Sequence, residues 1–221
     1  MTSKFTFSHF TPAEAERITG LGVGMQRDWR NRGFLPKNEG HARFDCFALA
    51  HLLFMKMMAD RGIGPQKSFE DAPWCAVGMV AAALQEIDAY EGDHEQALAW
   101  NVPVGGEFCW GAKANWLTRS ILDANGHGVQ PAPLFISWAD GSHVFHYSFD
   151  TAIAGMNEFD VRREGPMILL DLRVLGGLLL DRCARPIVHV DLSDLLSRNN
   201  PATPEMAGDE IAGDPAGGGP P

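Results

Sequence analysis

Within the segment TGLGVGMQRDWRNRGFLP, residues 19–36, three arginines and a tryptophan stand between Arg27 and Arg32. A guanidinium is a planar fork of donors that fits a phosphate, a carboxylate or the O6/N7 edge of guanine. Lys37, His41 and Arg43 extend this supply of donors just downstream. The chemistry on offer is recognition of an anion rather than bond breaking. Other residue types capable of chemistry are scattered. His143, His146, Asp150 and His189 are acid–base types, but no spacing fixes their mutual geometry. His143 and His146 are three apart in an expected strand and so point to opposite faces. Cys46, Cys75, Cys109 and Cys183 form no C-x-x-C and read as reduced thiols. No Walker loop, G-x-S-x-G elbow, H-E-x-x-H helix or EF-hand loop is present. The expectation is no metal, no cofactor and no enzymatic activity.

The cations are unusual because the chain of 221 residues carries a net charge of −10. Through Lys67 there are ten Lys/Arg against six Asp/Glu, a balance of +4, and the remaining 8 cations and 22 anions leave −14. A basic N-terminal part on an acidic body fits a head that meets nucleic acid and a body that avoids it. The apolar content of 45% is ordinary for a folded chain. No apolar run reaches the roughly 20 residues needed to span a bilayer, and the N-terminus lacks the layout of a secretory signal. A cytoplasmic protein is expected, nucleoid-associated when bound to DNA.

The elements that must position these residues can be read in turn. Thr11, Pro12 and Glu14 mark a helix start, with threonine as N-cap, proline at the first helical position and glutamate at the third. Ala15, Ile18 and Leu21 follow at helical spacing, and Gly20 supplies a stop. A second helix is expected from about Val23 to Arg32, ended by Gly33. Residues 34–44, FLPKNEGHARF, read as a small hairpin or wing. Asp45 then caps a third helix with a broad apolar face, which ends near Gly62. Further on, residues 76–90 and 112–124 read as amphipathic helices. PLFISWAD and SHVFHYSF form a hairpin about Asp140-Gly141. MILLDL, a Leu-rich stretch to Cys183 and PIVHVDL read as strand, helix and strand.

Taken together, TPAEAERITGLGVGMQRDWRNRGFLP, GHARFD, an apolar helix and RGIGP resemble the MerR-type winged helix-turn-helix domain of bacterial transcription regulators. The resemblance covers about residues 1–67. It implies a second helix lodged in the major groove of double-stranded DNA, with Arg27 at the DNA-contacting arginine and Arg43 at the wing arginine. Arg30 is a candidate for a neighbouring phosphate, and Lys37 and His41 are wing candidates. Arg32 stands four residues after Asp28, so it either pairs with that carboxylate or reaches DNA. Trp29 is expected to anchor the helix inward against Ile18, Leu21 and Phe34. Three departures stand out. Asp28 occupies a place where the family often carries tyrosine, and Ala42 stands where a second wing arginine is common. Gln26 replaces a usual leucine, so either the packing differs or Gln26 turns toward a base.

The expected fold class is α+β: a winged helix-turn-helix over 1–67, a linker over 68–75, a compact α/β body over 76–198 and a disordered acidic tail over 199–221. The body contains Trp100, Trp110, Trp116 and Trp138, which form either an aromatic pocket or simply a core. No sustained heptads follow Pro65, so the family's long dimerisation coiled coil is missing, and a homodimer would use another surface. The expected function is DNA-binding transcriptional regulation, with the body mediating assembly, effector binding or contact with RNA polymerase or another protein. The alternatives are a phage-related architectural or accessory protein, such as an excisionase or packaging factor, and a winged helix used for protein contact only.

Overall fold

The computed structural model describes residues 4–35, 42–95, 110–128 and 130–191, although of Lys4 and of residues 110–113 only the backbone. Lys37, His41, Trp100, Cys109 and the tail over 199–221 lie outside these residues, as do the tip of the expected wing and the Trp110 side chain.

Local rules account for the first three helices. Helix α1 (Pro12–Thr19) opens with a reciprocal cap: Glu14 N–H donates to Thr11 Oγ1 at 3.3 Å, and Thr11 N–H donates to the Glu14 carboxylate at 2.7 Å. It closes at Gly20, whose φ of 76° is left-handed and whose N–H donates to Glu16 O. Helix α2 (Val23–Asn31) follows after Leu21 and Gly22. Helix α3 (Cys46–Ala59) starts where Ala48 N–H donates to Asp45 Oδ1 at 2.8 Å. The boundaries of α1 and α2 match the expected ones within a residue, and α3 ends at Ala59, short of the expected Gly62. Strand β1 (Lys4–Phe7), which precedes them, was not expected.

After a single helical turn α4 (Pro65–Ser68), helix α5 (Ala72–Ala83) runs through the centre of the protein. Its sequence, APWCAVGMVAAA, is apolar on every side, and nine of its residues are buried. This corrects two expectations. Residues 68–75 are not a linker, because Ser68, Ala72 and Cys75 are buried. The helix expected over 76–90 is neither amphipathic nor that long. Pro73 stands in the first turn, where proline is tolerated in a helix.

Beyond α5 come β2 (Tyr90–Gly92), α6 (Trp110–Ala124), the hairpin β3 (Leu134–Ser137) and β4 (His143–His146), and a short helix α7 (Phe149–Ala154). Strand β5 (Ile168–Asp171), helix α8 (Leu172–Cys183) and strand β6 (Val188–Asp191) complete the order. Among the described residues two three-stranded sheets form, ordered β1-β6-β2 and β4-β3-β5. The expected strand–helix–strand is present locally, but its two strands belong to different sheets. In the first sheet β6 is central, antiparallel to β1 (Lys4 opposite Asp191) and parallel to β2. The second sheet is antiparallel throughout.

The architecture is mixed α and β, and its two expected parts share one core. Phe10, Ile18, Leu21 and Trp29 belong to the same buried cluster as Met79, Val80, Leu175, Leu179 and Val188. Polar contacts reinforce the junction. Arg182 donates to Ile18 O at 3.0 Å, Arg17 donates to Arg182 O at 3.0 Å, and Arg185 donates to His9 O at 2.8 Å. The Arg185 guanidinium also lies 4.4 Å from the centre of the Phe10 ring. Three buried thiols, Cys46, Cys75 and Cys183, fill space in this core, and burial pushes each of them up from the ordinary thiol range.

Candidate nucleic-acid interface

Helix α2 has a sharply divided surface. Gln26 and Trp29 are buried, whereas Gly24, Arg27, Asp28 and Asn31 are exposed. These four follow i, i+3, i+4, i+7 spacing and form one outward stripe, with exposed Met25 beside it. A Cβ added at Gly24 would meet nothing within 4 Å, which leaves the backbone there open to close approach. Gly24 and Asn31 were not singled out from the sequence, although their spacing from Arg27 was the signal.

Trp29 is 4% exposed and joins Ile18 and Leu21 in the core, with Phe34 packed against the same cluster. Gln26 is 1% exposed and does not face outward, which corrects its candidacy as a base-reading residue. Its amide donates to Leu21 O at 2.8 Å and to Pro12 O at 3.1 Å, tying α2 to the turn and to the start of α1. A leucine could not donate to those two carbonyls.

The cations occupy different settings. Arg27 and Arg43 are exposed, and among the described residues neither has a carboxylate within ion-pair distance. Arg32 pairs with Asp28 at 3.5 Å and lies 5.1 Å from the centre of the Phe34 ring. The acidic departure at Asp28 is thus balanced within the same helix face. Arg30 lies 5.7 Å from the Phe44 ring centre, so it sits against the segment that returns from the expected wing. That segment is anchored, because Phe10 and Phe44 exchange both backbone hydrogen bonds, at 2.8 and 3.0 Å. One acidic residue intrudes: Glu16 Oε2 accepts from Val23 N–H at 3.2 Å. It caps the start of α2, where a phosphate would otherwise find free N–H groups.

The remaining residues with chemical potential stay apart. His143 Nε2 lies 3.2 Å from Asp71 Oδ1, and His146 Nδ1 accepts from Ser148 N–H, whereas His189 is in the other sheet beside Glu91. Burial raises the Asp71 carboxyl against the opposing pull of His143. Trp138 belongs to a separate small cluster with Ile136 and Met156, while Trp116 packs on the main core, so these two tryptophans do not line one pocket. Among the described residues no group of His, Cys, Asp and Glu could hold a metal ion, and no helix is long and apolar enough to cross a membrane.

His51 of α3 lies near the arginines and titrates unusually. Burial lowers its pKa from 6.5 to about 4. Between those values the unfolded chain takes up a proton that the folded chain refuses, so stability is lost as pH falls from about 6.5 to about 4. The full contribution is on the order of 3 kcal/mol. His51→Met is expected to flatten the melting temperature across that window, as measured by circular dichroism at half-unit pH steps. An unchanged slope would assign the acid sensitivity to other groups.

No protein-family model, curated protein or solved structure matches this chain.

Proposed function

We propose that α1, α2 and the wing segment form a winged helix-turn-helix that docks on double-stranded DNA, and that the protein regulates transcription. The observation that carries this reading is the outward stripe of α2. Arg27 projects beside an open Gly24, and Arg32 neutralises Asp28 within the stripe. A stripe of small, amide and guanidinium residues, with its one carboxylate, Asp28, paired to Arg32, is what a major groove admits. The charge asymmetry supports the same reading, because a body at −14 lowers non-specific affinity and leaves approach to the basic end. Lys37 and His41 complete the proposed wing contacts. A homodimer would supply the second head that a short contact surface needs for tight binding.

Arg27→Ala is expected to cost roughly 1–3 kcal/mol of specific binding, the value of one base-edge contact. Arg43→Ala should weaken binding evenly across sequences and reduce the salt slope by about one. Mobility-shift titrations at two salt concentrations, on a site selected from random duplexes, read both effects and the number of protomers bound. Unchanged affinity in both variants would reject the docking.

A second reading, protein contact by the same surface, draws on Glu16 at the start of α2 and on Met25, which is 47% exposed. It predicts that no duplex is selected in that experiment.

A further inference from the structure

Beneath the proposed DNA surface, a cavity of about 240 Å³ opens between the ends of the wing segment, α3 and α5. Its wall includes Leu35, Phe44, Phe47, Leu52 and Ala76, with the ring of His127 closing one side. The His127 ring lies 4.7 Å from that of Phe47, so this side is aromatic. Among the described residues that line it, Arg30 and Arg43 carry guanidinium charge and none is a carboxylate. In a chain of net charge −10, an apolar cavity whose described lining includes two guanidinium groups and no carboxylate is a specific feature. His51 also lines it and adds no charge, because burial keeps its ring neutral near pH 7.

We propose that this cavity binds a small apolar carboxylate, a molecule of one or two rings whose anion is held by Arg43. Size sets the first limit. An apolar cavity of about 150 Å³ accommodates benzene, so the present one suits a ligand on the order of ten heavy atoms. Charge sets the second. Apolar walls favour a ligand that is mostly hydrocarbon, and a guanidinium favours a planar, bidentate anion at one end. The Arg43 backbone is held in place by its neighbour Phe44, which is bridged to Phe10. Arg43 is also the proposed wing contact to phosphate. Resting on that reading, the ligand and DNA compete for one guanidinium, and each weakens the other by the same factor.

The test uses the full chain and 2-naphthoate, with uncharged 2-naphthamide of the same shape and inorganic phosphate as comparisons, followed by calorimetric titration without DNA. Naphthoate is expected to bind at least tenfold more tightly than naphthamide. Arg43→Ala should erase that preference, and Ala48→Phe, which fills the cavity from α3, should weaken both ligands. Melting curves check that each variant is folded. Equal binding of the two naphthalenes, retention of the preference in Arg43→Ala, or displacement by equimolar phosphate would each overturn the site. Naphthoate binding seen only after removal of residues 199–221 would overturn it too, assigning the cavity to the chain's own acidic segment. A second arm titrates DNA with and without saturating naphthoate. Naphthoate binding with no DNA binding under any condition leaves the site standing and rejects the DNA reading. DNA binding with no naphthoate binding does the reverse, and independent binding of both overturns the competition.

Discussion

Gly176→Val is expected to leave neither the N-terminal helices nor the sheets folded. Gly176 lies on α8 where that helix crosses α5. A Cβ built there would stand 2.3 Å from Met79 O, 2.8 Å from Ala82 Cβ and 3.0 Å from Ala83 N. Two of these neighbours are helix backbone and cannot retreat as a flexible side chain would. Gly78 makes the reciprocal approach from α5, where an added Cβ would meet Leu172 Cδ1 at 2.6 Å. Separating the helices would pull α5 away from α3, against which it also packs. Overpacking commonly costs about 1–3 kcal/mol when neighbours can yield, and more when they cannot. The intrinsic gain from replacing a helical glycine is only a few tenths of a kcal/mol. Against a total stability of roughly 5–15 kcal/mol, such a loss is large. Circular dichroism and amide spectra of α2 and α8 give the readout. A variant that keeps native α2 signals while α8 loses its own would show that the N-terminal part folds independently.

Trp29→Ala is expected to cost about 3–5 kcal/mol, the usual range for truncating a buried aromatic. The side chain is fixed between α1 and α2, and its own carbonyl accepts from Phe34 N–H at 2.9 Å, so one residue supports both the helix and its exit. For a folded region of this size the corresponding fall in melting temperature is roughly 6–20 °C. Any loss of DNA binding should follow the unfolded fraction. A variant with an unchanged melting temperature and no DNA binding would place the tryptophan at the ligand surface instead.

Features made by neighbours in sequence were readable from sequence. The Thr11–Glu14 cap, the Asp45 cap and the left-handed Gly20 involve residues at most a few positions apart, so α1, α2 and α3 were delimited closely. The hairpin is likewise local: Ser142 N–H donates to Asp140 Oδ1, and Gly141 has a φ of 87°. What escaped depends on distant partners. Lys-Phe-Thr-Phe alternates as a strand should, but four residues mean little until β6 stands beside them. Helix α5 was misjudged because a helix buried on all sides carries no amphipathic period, and only its neighbours explain it. Gln26 was ambiguous for the opposite reason. A polar side chain is buried only where carbonyls await it, and those of Pro12 and Leu21 are positioned by the turn. The guanidinium residues of the candidate surface were legible as a group. The i, i+4 spacing made the Asp28 partner of Arg32 one of two readings, whereas the place of Arg30 over the Phe44 ring, which depends on a residue fourteen positions away, was not legible.

The pairing of Lys4–Phe7 with Val188–Asp191 also bears on the order of events during synthesis. The strand over Lys4–Phe7 leaves the ribosome well before its partner over Val188–Asp191 is made. At about 5–20 residues per second, that delay is roughly 10 to 40 seconds. Over this interval Phe5 and Phe7 lack their sheet, and α1 lacks its two hydrogen bonds with Arg182 at the end of α8. A chain cut short by a nonsense codon between residues 68 and 188 therefore carries every residue of the proposed reading surface without the strand that completes its scaffold. Such fragments would be cleared as unfolded chains rather than compete with intact protein for its sites.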